Sequence, residues 1–338
     1  MAGGNIVSIT SGVYDTLFGE VQAPLKVLIE REYDKRTAPQ LATWEKIFHP
    51  MNIDSRSALI SSMGNIGLFE DVGENGDYPN SELGKGFDKL LTVETWKNQF
   101  SISQEMMEDK LDFVLKNNAL KLIGSFFRTR AEFYNGLLVS GLSNKNYVSI
   151  GGNTYITKTF DGVNLFSTAH KLANSKKTVS NAFSNEFSAT NLGKVATRMQ
   201  NMVDDNGVLM NLTPNTIVIP NTEKAKADVF GVVGAYHDPD TQAGNRYNYQ
   251  FGNWDVLVLP WLNVLVNEST GAYPWMLMDS EHNKDNYGAI AVERIPLEIK
   301  SEIEKNDANV WKGRARFGGA FGDFRAFAAG GLAYGDEL

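Results

Sequence analysis

The longest helical pattern in the sequence lies between Ser103 and Ser140, which reads SQEMMEDKLDFVLKNNALKLIGSFFRTRAEFYNGLLVS. Its apolar residues recur at steps of four and seven positions, which places them on one face of an α-helix. These residues are Leu111, Leu115, Leu122, Phe126, Phe133 and Leu137. At 1.5 Å per residue, the segment predicts an amphipathic helix of roughly 55 Å, which is long for a globular protein.

The region before this helix predicts extended structure. Segments 87–93 and 96–102 are β-prone and flank Glu94-Thr95, so they predict a hairpin-like excursion. Residues 68–80 are dense in Gly, Asn, Asp and Glu, which favours a long protruding loop with an exposed tip. Residues 1–55 show no sustained apolar period and predict an extended arm.

The region after the helix predicts a mixed unit followed by strands. A helix is expected from Ser188 or Thr190 to the turn at 204–207, and a second one is expected over 223–233, capped by Asn221-Thr222. Apolar β-prone segments occupy 216–220, 255–259, 274–278, 289–293, 296–303 and 309–317. The fold class indicated by this order of elements is α+β.

The last β-prone segment predicts a charged surface. Alternation along a strand sends Trp311, Gly313, Ala315 and Phe317 to one side. Lys312, Arg314 and Arg316 then form a basic stripe on the other side. Three charges on one strand more often make salt bridges between subunits, or a solvated edge, than contacts to phosphate.

Composition excludes several classes of protein. The chain has 338 residues, with 32 Lys and Arg against 40 Asp and Glu, for a formal charge of −8. This charge disfavours a sequence-independent nucleic-acid binder. The absence of cysteine excludes a disulfide scaffold and a cysteine nucleophile. Segment 256–266 is about half a membrane span and the start lacks a secretory pattern, so we expect no transmembrane helix and a cytoplasmic protein.

Motifs for catalysis are almost absent. The four histidines have no metal-ligand spacing. The sequence has glycine clusters at Gly151-Gly152 and at Gly318-Gly319 with Gly322, and neither continues into a phosphate-binding pattern. We therefore expect no metal and no cofactor. One constellation is worth testing, because His170 lies close in sequence to Ser167 and Asp161 and could serve a hydrolase or a ligand-binding site. A loop histidine held by the backbone or by a serine is the preferred interpretation.

Several segments, taken in order, resemble a known family. They are Phe100–Lys110 before the long helix, Asp161-Gly162 with Leu165–His170, Ser188 through Asp205-Asn206-Gly207, Leu212-Thr213-Pro214 with Ile217–Pro220, Asn253–Leu262 and Tyr273–Leu277. Together they cover about 87–280 and are similar to the major capsid proteins of tailed bacteriophages, of the Hong Kong ninety-seven type fold. The resemblance is strongest to the Mu-like major head subunit branch, and the phrase Leu165–His170 is its most specific part.

The resemblance implies a domain organisation. It implies an N-terminal arm over 1–55, an extended loop over 56–102, a peripheral domain over 103–187 and 289–338 that holds the spine helix, and an axial domain over 188–288. Some relatives join a loop lysine covalently to an asparagine. Lys85 and Lys89 lie in the corresponding region, although no partner asparagine is identifiable.

The resemblance also implies a structural function without an enzymatic step. Pentamers and hexamers of the chain would form an icosahedral shell around packaged double-stranded DNA, which they would touch by non-specific proximity only. The implied partners are copies of the chain itself, a scaffolding protein, a portal, and decoration or head-completion proteins. We expect assembly in the host cytoplasm and residence in the virion. An encapsulin-type nanocompartment shell is an alternative use of this fold.

Contacts between subunits are expected from exposed, extended segments, because a shell subunit gains area by laying such segments over its neighbours. The candidate contact residues are Leu68, Phe69, Tyr78 and Phe87 in the loop, with Lys312, Arg314 and Arg316 in the basic stripe.

Overall fold

A computed structural model describes residues 31, 43–63, 69, 71–74, 76–80, 85–108, 112–234, 236, 248–303 and 308–338. Its helices are α1 (Gln104–Glu108), α2 (Asp112–Leu142), α3 (Ala189–Gln200), α4 (Glu223–Val233) and α5 (Ser280–Asp285), with 3-10 helices at Pro260–Leu265 and Phe324–Ala326. Its first strands are β1 (His49–Asn52), β2 (Ser57–Met63), β3 (Lys85–Thr92), β4 (Glu94–Ile102), β5 (Tyr147–Ile150), β6 (Asn153–Ile156), β7 (His170–Leu172) and β8 (Ser175–Val179). The later strands are β9 (Thr216–Pro220), β10 (Asp255–Leu259), β11 (Trp275–Met278), β12 (Ala289–Ile303), β13 (Asn309–Phe321) and β14 (Phe327–Gly330).

The chain divides into two compact units. The first contains the described residues of 1–58, 91–134 and 291–319, and the second contains those of 59–90, 135–290 and 320–338. No helix in these described ranges is both long and apolar enough to cross a membrane.

The first unit is built on a four-stranded sheet in the order β1-β12-β13-β4. β13 and β4 are antiparallel, with Phe317 opposite Glu94. The apolar face of α2 packs on this sheet, where the rings of Phe126 and Phe133 lie edge-on to Phe317 and Trp96 stacks on the same ring at 5.0 Å. Aromatic burial of this kind supplies most of the hydrophobic free energy of a small core.

A buried arginine lies in the same core. The guanidinium of Arg130 is 5.2 Å from the ring centre of Trp44. It also lies 5.6 Å from the ring centre of Phe126 and 5.7 Å from that of Phe317. Its Nη2 atom is 3.5 Å from a carboxylate oxygen of Glu293. Ring faces and a carboxylate together offset the cost of taking this charge out of water.

The second unit is built on a sheet in the order β10-β9-β11-β14. β9 and β10 are parallel and are connected by a chain segment that contains α4, whereas β11 runs antiparallel to both β9 and β14. Helices α3 and α4 contribute buried apolar side chains to the core of this unit, together with β9 and β11. That core includes Leu192, Val195, Met199, Ala225, Val229, Ile217, Ile219, Trp275 and Leu277.

Side-chain caps fix the starts of three helices, and two of these starts confirm the sequence prediction. Ser188 accepts a hydrogen bond from the amide of Asn191 before α3, and Thr222 accepts one from Ala225 before α4. Asp279 caps α5. Each cap satisfies an amide that the helix itself leaves without a partner.

The long amphipathic helix is confirmed over its described length. Leu122, Phe126, Phe133 and Leu137 are all buried on α2. Leu111 and the side chain of Leu115 lie outside the described residues. The structure also confirms the α+β class and the alternation along β13, where Trp311 is buried and Arg314 is exposed.

Two predictions about strands were wrong. Segments 87–93 and 96–102 do not pair with each other, because β3 pairs with β2 and β4 pairs with β13. A single residue, Val93, separates β3 from β4, which is too short for a hairpin turn. Segments 289–293 and 296–303 form the single strand β12, because the fixed φ of Pro296 is compatible with an extended chain.

Candidate functional site

The polar face of the first unit's sheet carries the predicted basic stripe. Register places Lys312 opposite Gln99 and Arg314 opposite Lys97. Because directly opposite residues of antiparallel strands point to the same face, these side chains share one surface. Lys312 is half-buried and Arg314 is exposed, so the stripe lies at the protein surface.

This face forms a shallow concavity of about 510 Å³. Acidic and basic side chains alternate across it, and Lys312 forms an ion pair with Glu302. Both partners are substantially exposed, so the pair contributes little to the stability of the subunit. The lining residues are Lys97, Asn98, Gln99, Glu298, Lys300, Glu302, Lys312, Gly313 and Arg314.

Arg316 lies in a cluster of like charge. Desolvation lowers the pKa of Arg316, and the nearby charges of Arg294, Arg314 and Arg56 lower it further, while Glu94 opposes them. The Nε atom of Arg316 is shielded from solvent and has no hydrogen-bond partner among the described residues. We define these four arginines as the arginine cluster. Their mutual repulsion would be relieved by carboxylates from outside the unit.

The predicted loop is exposed wherever the structure describes it. The side chains of Phe69 and Tyr78 are fully exposed, and Val72 is exposed as well. Asp71 accepts a hydrogen bond from the amide of Gly73, whose φ of +68° suits glycine. Residues 68–84 contain five acidic residues and no basic one. We call this segment the acidic loop.

Leu68 and Phe87 are the other two loop residues predicted to contact neighbouring subunits, and neither is described as a fully exposed side chain. Leu68 lies outside the described residues. Phe87 is half-buried on β3, where its amide donates to the hydroxyl of Ser62 at 2.9 Å. Phe87 also lines a small cleft of the second unit with Phe160 and Phe324. Part of its ring is therefore already used within the unit.

His170 is fully buried in the second unit, and its two ring nitrogens face oxygen atoms. Nδ1 lies 2.8 Å from Oδ2 of Asp161. Nε2 lies 3.2 Å from the carbonyl oxygen of Leu165 and 3.1 Å from Oδ1 of Asn181. In its protonated form the ring donates at both ends, which is an arrangement that orders loops.

Asp161 is the electrostatic centre of this group. Its carboxylate also accepts hydrogen bonds from the hydroxyl of Thr159 and the amide of Lys171. Burial alone raises the pKa of Asp161, but the hydrogen bond and charge of His170, together with these two donors, lower it to about 2. The carboxylate is thus ionised, and both of its oxygens accept hydrogen bonds.

The geometry does not form a nucleophile and base. Ser167 Oγ accepts the amide of Ala169 at 3.2 Å, and in the described part of the chain no hydrogen bond joins Ser167 to His170. A hydrolase needs its serine within hydrogen-bond reach of the base. The described residues also hold no cluster of three His, Cys, Asp or Glu side chains that could bind a metal. The preferred interpretation of His170 as a structural residue agrees with these contacts.

Sequence reasoning missed the second half of this network. Arg325 forms ion pairs with Asp205 at 2.5 Å and with Asp323 at 3.3 Å, and His282 also contacts Asp323 at 3.3 Å. Burial raises the pKa of Asp323, but the charges of Arg325 and His282 outweigh it, and the net shift is downward. Asp205 and His282 are far in sequence from the residues they contact, so no local motif could reveal these pairs.

Lys89 is bound within its own unit. Its Nζ donates to the carbonyl oxygens of Lys158 and Phe321, the latter at 2.6 Å. Burial lowers the pKa of Lys89 to about 8, against the opposing charge of Asp161. Covalent joining to another chain would first break both of these hydrogen bonds. The side chain of Lys85 lies outside the described residues.

Comparison with known proteins identifies one family. A family model described as phage capsid protein matches residues 87–330. A comparison with curated proteins finds no match. Among solved structures, the chain is similar to one from Mycobacterium phage Patience, with 10% identity, a TM-score of 0.49, and coverage of 100% of this chain and 96% of that one.

Two further structures give similar values. The capsid of Ralstonia phage GP4 has 12% identity and a TM-score of 0.49, with 81% of this chain and 82% of that chain covered. The capsid of an empty GTA particle has 15% identity and a TM-score of 0.47, with 97% and 94% covered. Because all three TM-scores are below 0.5, the family match alone carries the assignment.

Proposed function

This chain belongs to the phage capsid protein family and is a structural protein of a capsid shell, and on that premise we propose that it is the major capsid subunit. In this proposal, copies of the chain form pentamers and hexamers, which build an icosahedral shell around packaged double-stranded DNA. The observation that supports this proposal most strongly is the family match, which covers most of the chain from β3 to β14. The sequence phrases given above favour the Mu-like branch.

The proposed domain organisation keeps the sequence boundaries. Residues 1–55 serve as the arm, 56–102 as the extended loop, 103–187 with 289–338 as the peripheral domain, and 188–288 as the axial domain. The described elements support part of this division, because β12 and β13 share one sheet of the proposed peripheral domain and β9, β10 and β11 share one sheet of the axial domain. β1 and β4, from the proposed arm and loop, join the sheet of β12 and β13, and β14 joins the sheet of β9 to β11.

The proposed contact between subunits joins the acidic loop of one copy to the polar sheet face of the next. The loop offers carboxylates together with the exposed rings of Phe69 and Tyr78. The sheet face offers the arginine cluster and Lys312. Complementary charge steers such an encounter, and buried aromatic rings supply most of its affinity. Leu68 and Phe87 belong to the same proposed surface.

A contact of this kind is heterologous, since two different surfaces of the same chain meet. Repeated contacts of this kind close into a ring when the rotation between copies fits. One chain can thereby form both five-membered and six-membered rings if the loop adjusts its angle. The fully exposed loop side chains are consistent with that adjustment.

Other proposed partners follow from the same premise. They are a scaffolding protein, a portal, and decoration or head-completion proteins, with assembly in the host cytoplasm. We propose no enzymatic step, because His170 and Asp161 are buried and their polar atoms are occupied by structural hydrogen bonds.

Sedimentation and electron microscopy of the full-length protein test the proposal. We expect closed particles, or isolated pentamers and hexamers, at micromolar concentration. A protein that stays monomeric at tens of milligrams per millilitre would overturn the proposal. Nuclease treatment of native particles should leave protected DNA. Native particles that hold protein cargo and no DNA would instead indicate an encapsulin-type shell.

A further inference from the structure

A basic region interrupts this acidic chain. Residues 143–180 contain five lysines, Lys145, Lys158, Lys171, Lys176 and Lys177, and a single acidic residue, Asp161. Their formal charge is +4 in a chain whose total charge is −8. The net charge of the whole molecule therefore hides a local excess of positive charge. We define these five lysines as the lysine surface.

The ammonium groups of this surface are available. Lys145, Lys171, Lys176 and Lys177 are exposed, and Lys158 is half-buried. Among the residues that the structure describes, none of the five has a carboxylate within 4.0 Å. Unpaired lysines can neutralise the phosphates of an anionic polymer, and this binding releases the cations that are condensed on the polymer.

Hydrogen bonds made by side chains connect the segments that carry these lysines. The hydroxyl of Thr157 donates to the carbonyl oxygen of Lys145 at 3.4 Å, which brings Lys145 close to Lys158. Asp161 then connects the strand of Lys171 to Thr159, which follows Lys158 in sequence.

The β7–β8 hairpin brings the remaining two lysines to the same region. Lys171 on β7 is directly opposite Thr178 on β8, so Lys176 and Lys177 are on the neighbouring strand. The five lysines, although distant from one another in sequence, belong to one hydrogen-bonded region of the second unit.

The only acidic residue of the segment does not cover this surface. The side chain of Asp161 is 1% exposed, and its two oxygens accept hydrogen bonds from Thr159, Val163, His170 and Lys171. The carboxylate is therefore unable to reach out and pair with a lysine. Positive charge faces solvent while its counter-charge is fixed inside.

We propose that the lysine surface binds the phosphate backbone of double-stranded DNA without regard to sequence. This inference rests on the proposed function, which places packaged DNA beside the subunit, and it goes beyond contact by proximity alone. Lysine ammonium groups act as point charges that suit phosphate. Strand β8 reads SKKTV and adds a serine and a threonine hydroxyl, which are also frequent phosphate donors.

A charge surface of this size predicts a defined dependence on salt. Neutralising about four phosphates gives a slope of roughly −3.6 for the logarithm of the binding constant against the logarithm of the salt concentration. Binding should be insensitive to base sequence, because the surface presents no pattern to read base edges.

The test uses the unassembled full-length protein and a fluorescent 30-base-pair duplex, with anisotropy measured between 50 and 300 mM NaCl. The variant K171Q/K176Q/K177Q should bind at least tenfold more weakly at 50 mM salt, and its slope should be smaller in magnitude by about 2.7. The matched control K121Q/K194Q/K284Q removes three exposed lysines elsewhere and should bind like the wild type. Equal weakening of both triple variants would overturn the proposal.

Two further measurements separate the possible explanations. The exposed side chains of Tyr147 and Ile156 lie near Lys145. Exposed apolar side chains favour a protein partner over DNA. The first measurement therefore tests binding of poly-L-glutamate, which mimics an acidic protein. Binding of poly-L-glutamate without binding of the duplex would overturn the proposal. Sedimentation of K171Q/K176Q/K177Q should show wild-type particles. Failure of every protein, wild type included, to form particles would instead count against the proposed function.

Discussion

The imidazole of His170 lies flat on the ring of Phe324, with centroids 3.7 Å apart and planes within 3°. This contact joins the loop that begins at Asp161 to the segment that precedes β14, near the other end of the sequence. Leu165–His170, the most specific phrase of the family resemblance, is therefore a structural junction of the second unit. Its histidine holds two distant parts of that unit together through a ring contact and hydrogen bonds.

Replacing Asp161 should destabilise the second unit. In D161N the buried ring of His170 loses a charged acceptor, and the three other donors to this side chain, from Thr159, Val163 and Lys171, lose a charged acceptor as well. We expect a loss of about 3 kcal/mol in the free energy of unfolding, which is typical of breaking a buried pair. Urea unfolding measures it. The control D255N changes an exposed aspartate of β10 and should lie within about 0.5 kcal/mol of wild type.

The same carboxylate predicts a dependence on pH. The pKa of Asp161 falls from 3.8 in the unfolded chain to about 2 in the folded protein. A lowered pKa means that its stabilisation is complete above pH 4 and is lost as the pH falls through 2. The stability difference between wild type and D161N should thus be equal at pH 7 and pH 5, and should drop by more than half near pH 2.5. A difference that grows on acidification would contradict this assignment.

Gly330 should not tolerate a side chain. A Cβ atom at this position would overlap the indole of the buried Trp275, directly across the β11–β14 pair. G330A should lower the free energy of unfolding by about 3 kcal/mol, at the upper end for overpacked cores. G231A is the matched control, because its Cβ would enter open space on α4. That helical variant should gain about 0.5 to 1 kcal/mol, and both are measured by thermal unfolding.

Charge reversal in the arginine cluster should weaken assembly without unfolding the subunit. R314E/R316E removes like-charge repulsion within the subunit. In the proposed contact it places these carboxylates opposite the acidic loop of a neighbour. We expect the protein concentration needed for assembly, measured by light scattering, to rise at least tenfold. Adding D71K/D77K should restore assembly. K194E/K284E makes the same change in net charge elsewhere and should assemble normally; if it fails as well, the effect is one of net charge alone.

The loop aromatics should matter to assembly and not to the subunit. Phe69 and Tyr78 are fully exposed, so F69A/Y78A should change the free energy of unfolding by less than about 0.5 kcal/mol. Loss of two rings from the proposed contact should raise the assembly concentration by roughly thirtyfold or more. F87A should behave differently, because Phe87 is half-buried and its loss lowers subunit stability. V264A removes an exposed apolar group elsewhere and should affect neither property.

Sequence reasoning succeeded where local rules decide the structure. The stripe on α2, the caps at Ser188 and Thr222, and the alternation along β13 each depend on residues a few positions apart. It failed where pairing was long-range. The partners of β3 and β4 could not be inferred from their own residues, since both strands pair with segments that only the folded chain brings near.

The candidate site shows the same division. The positions of Lys312, Arg314 and Arg316 on one face follow from strand period alone. Their neighbours Arg56 and Arg294 come from other parts of the chain, and the cluster is visible only in three dimensions. The lysine surface was open to sequence analysis in principle, because a charge count over 143–180 reveals it. The total charge of −8 concealed it.

The order of strands in the second unit determines when that unit can be completed during translation. β11 pairs with β14 on one side and β9 on the other, and Ala182 bridges to Ala329. A ribosome must therefore deliver residues 327–330 before that sheet can close. Nascent polypeptides on one messenger therefore lack a finished second unit until residues 327–330 have left the ribosome. Recognition between protomers that requires this unit consequently begins only after those residues have been made.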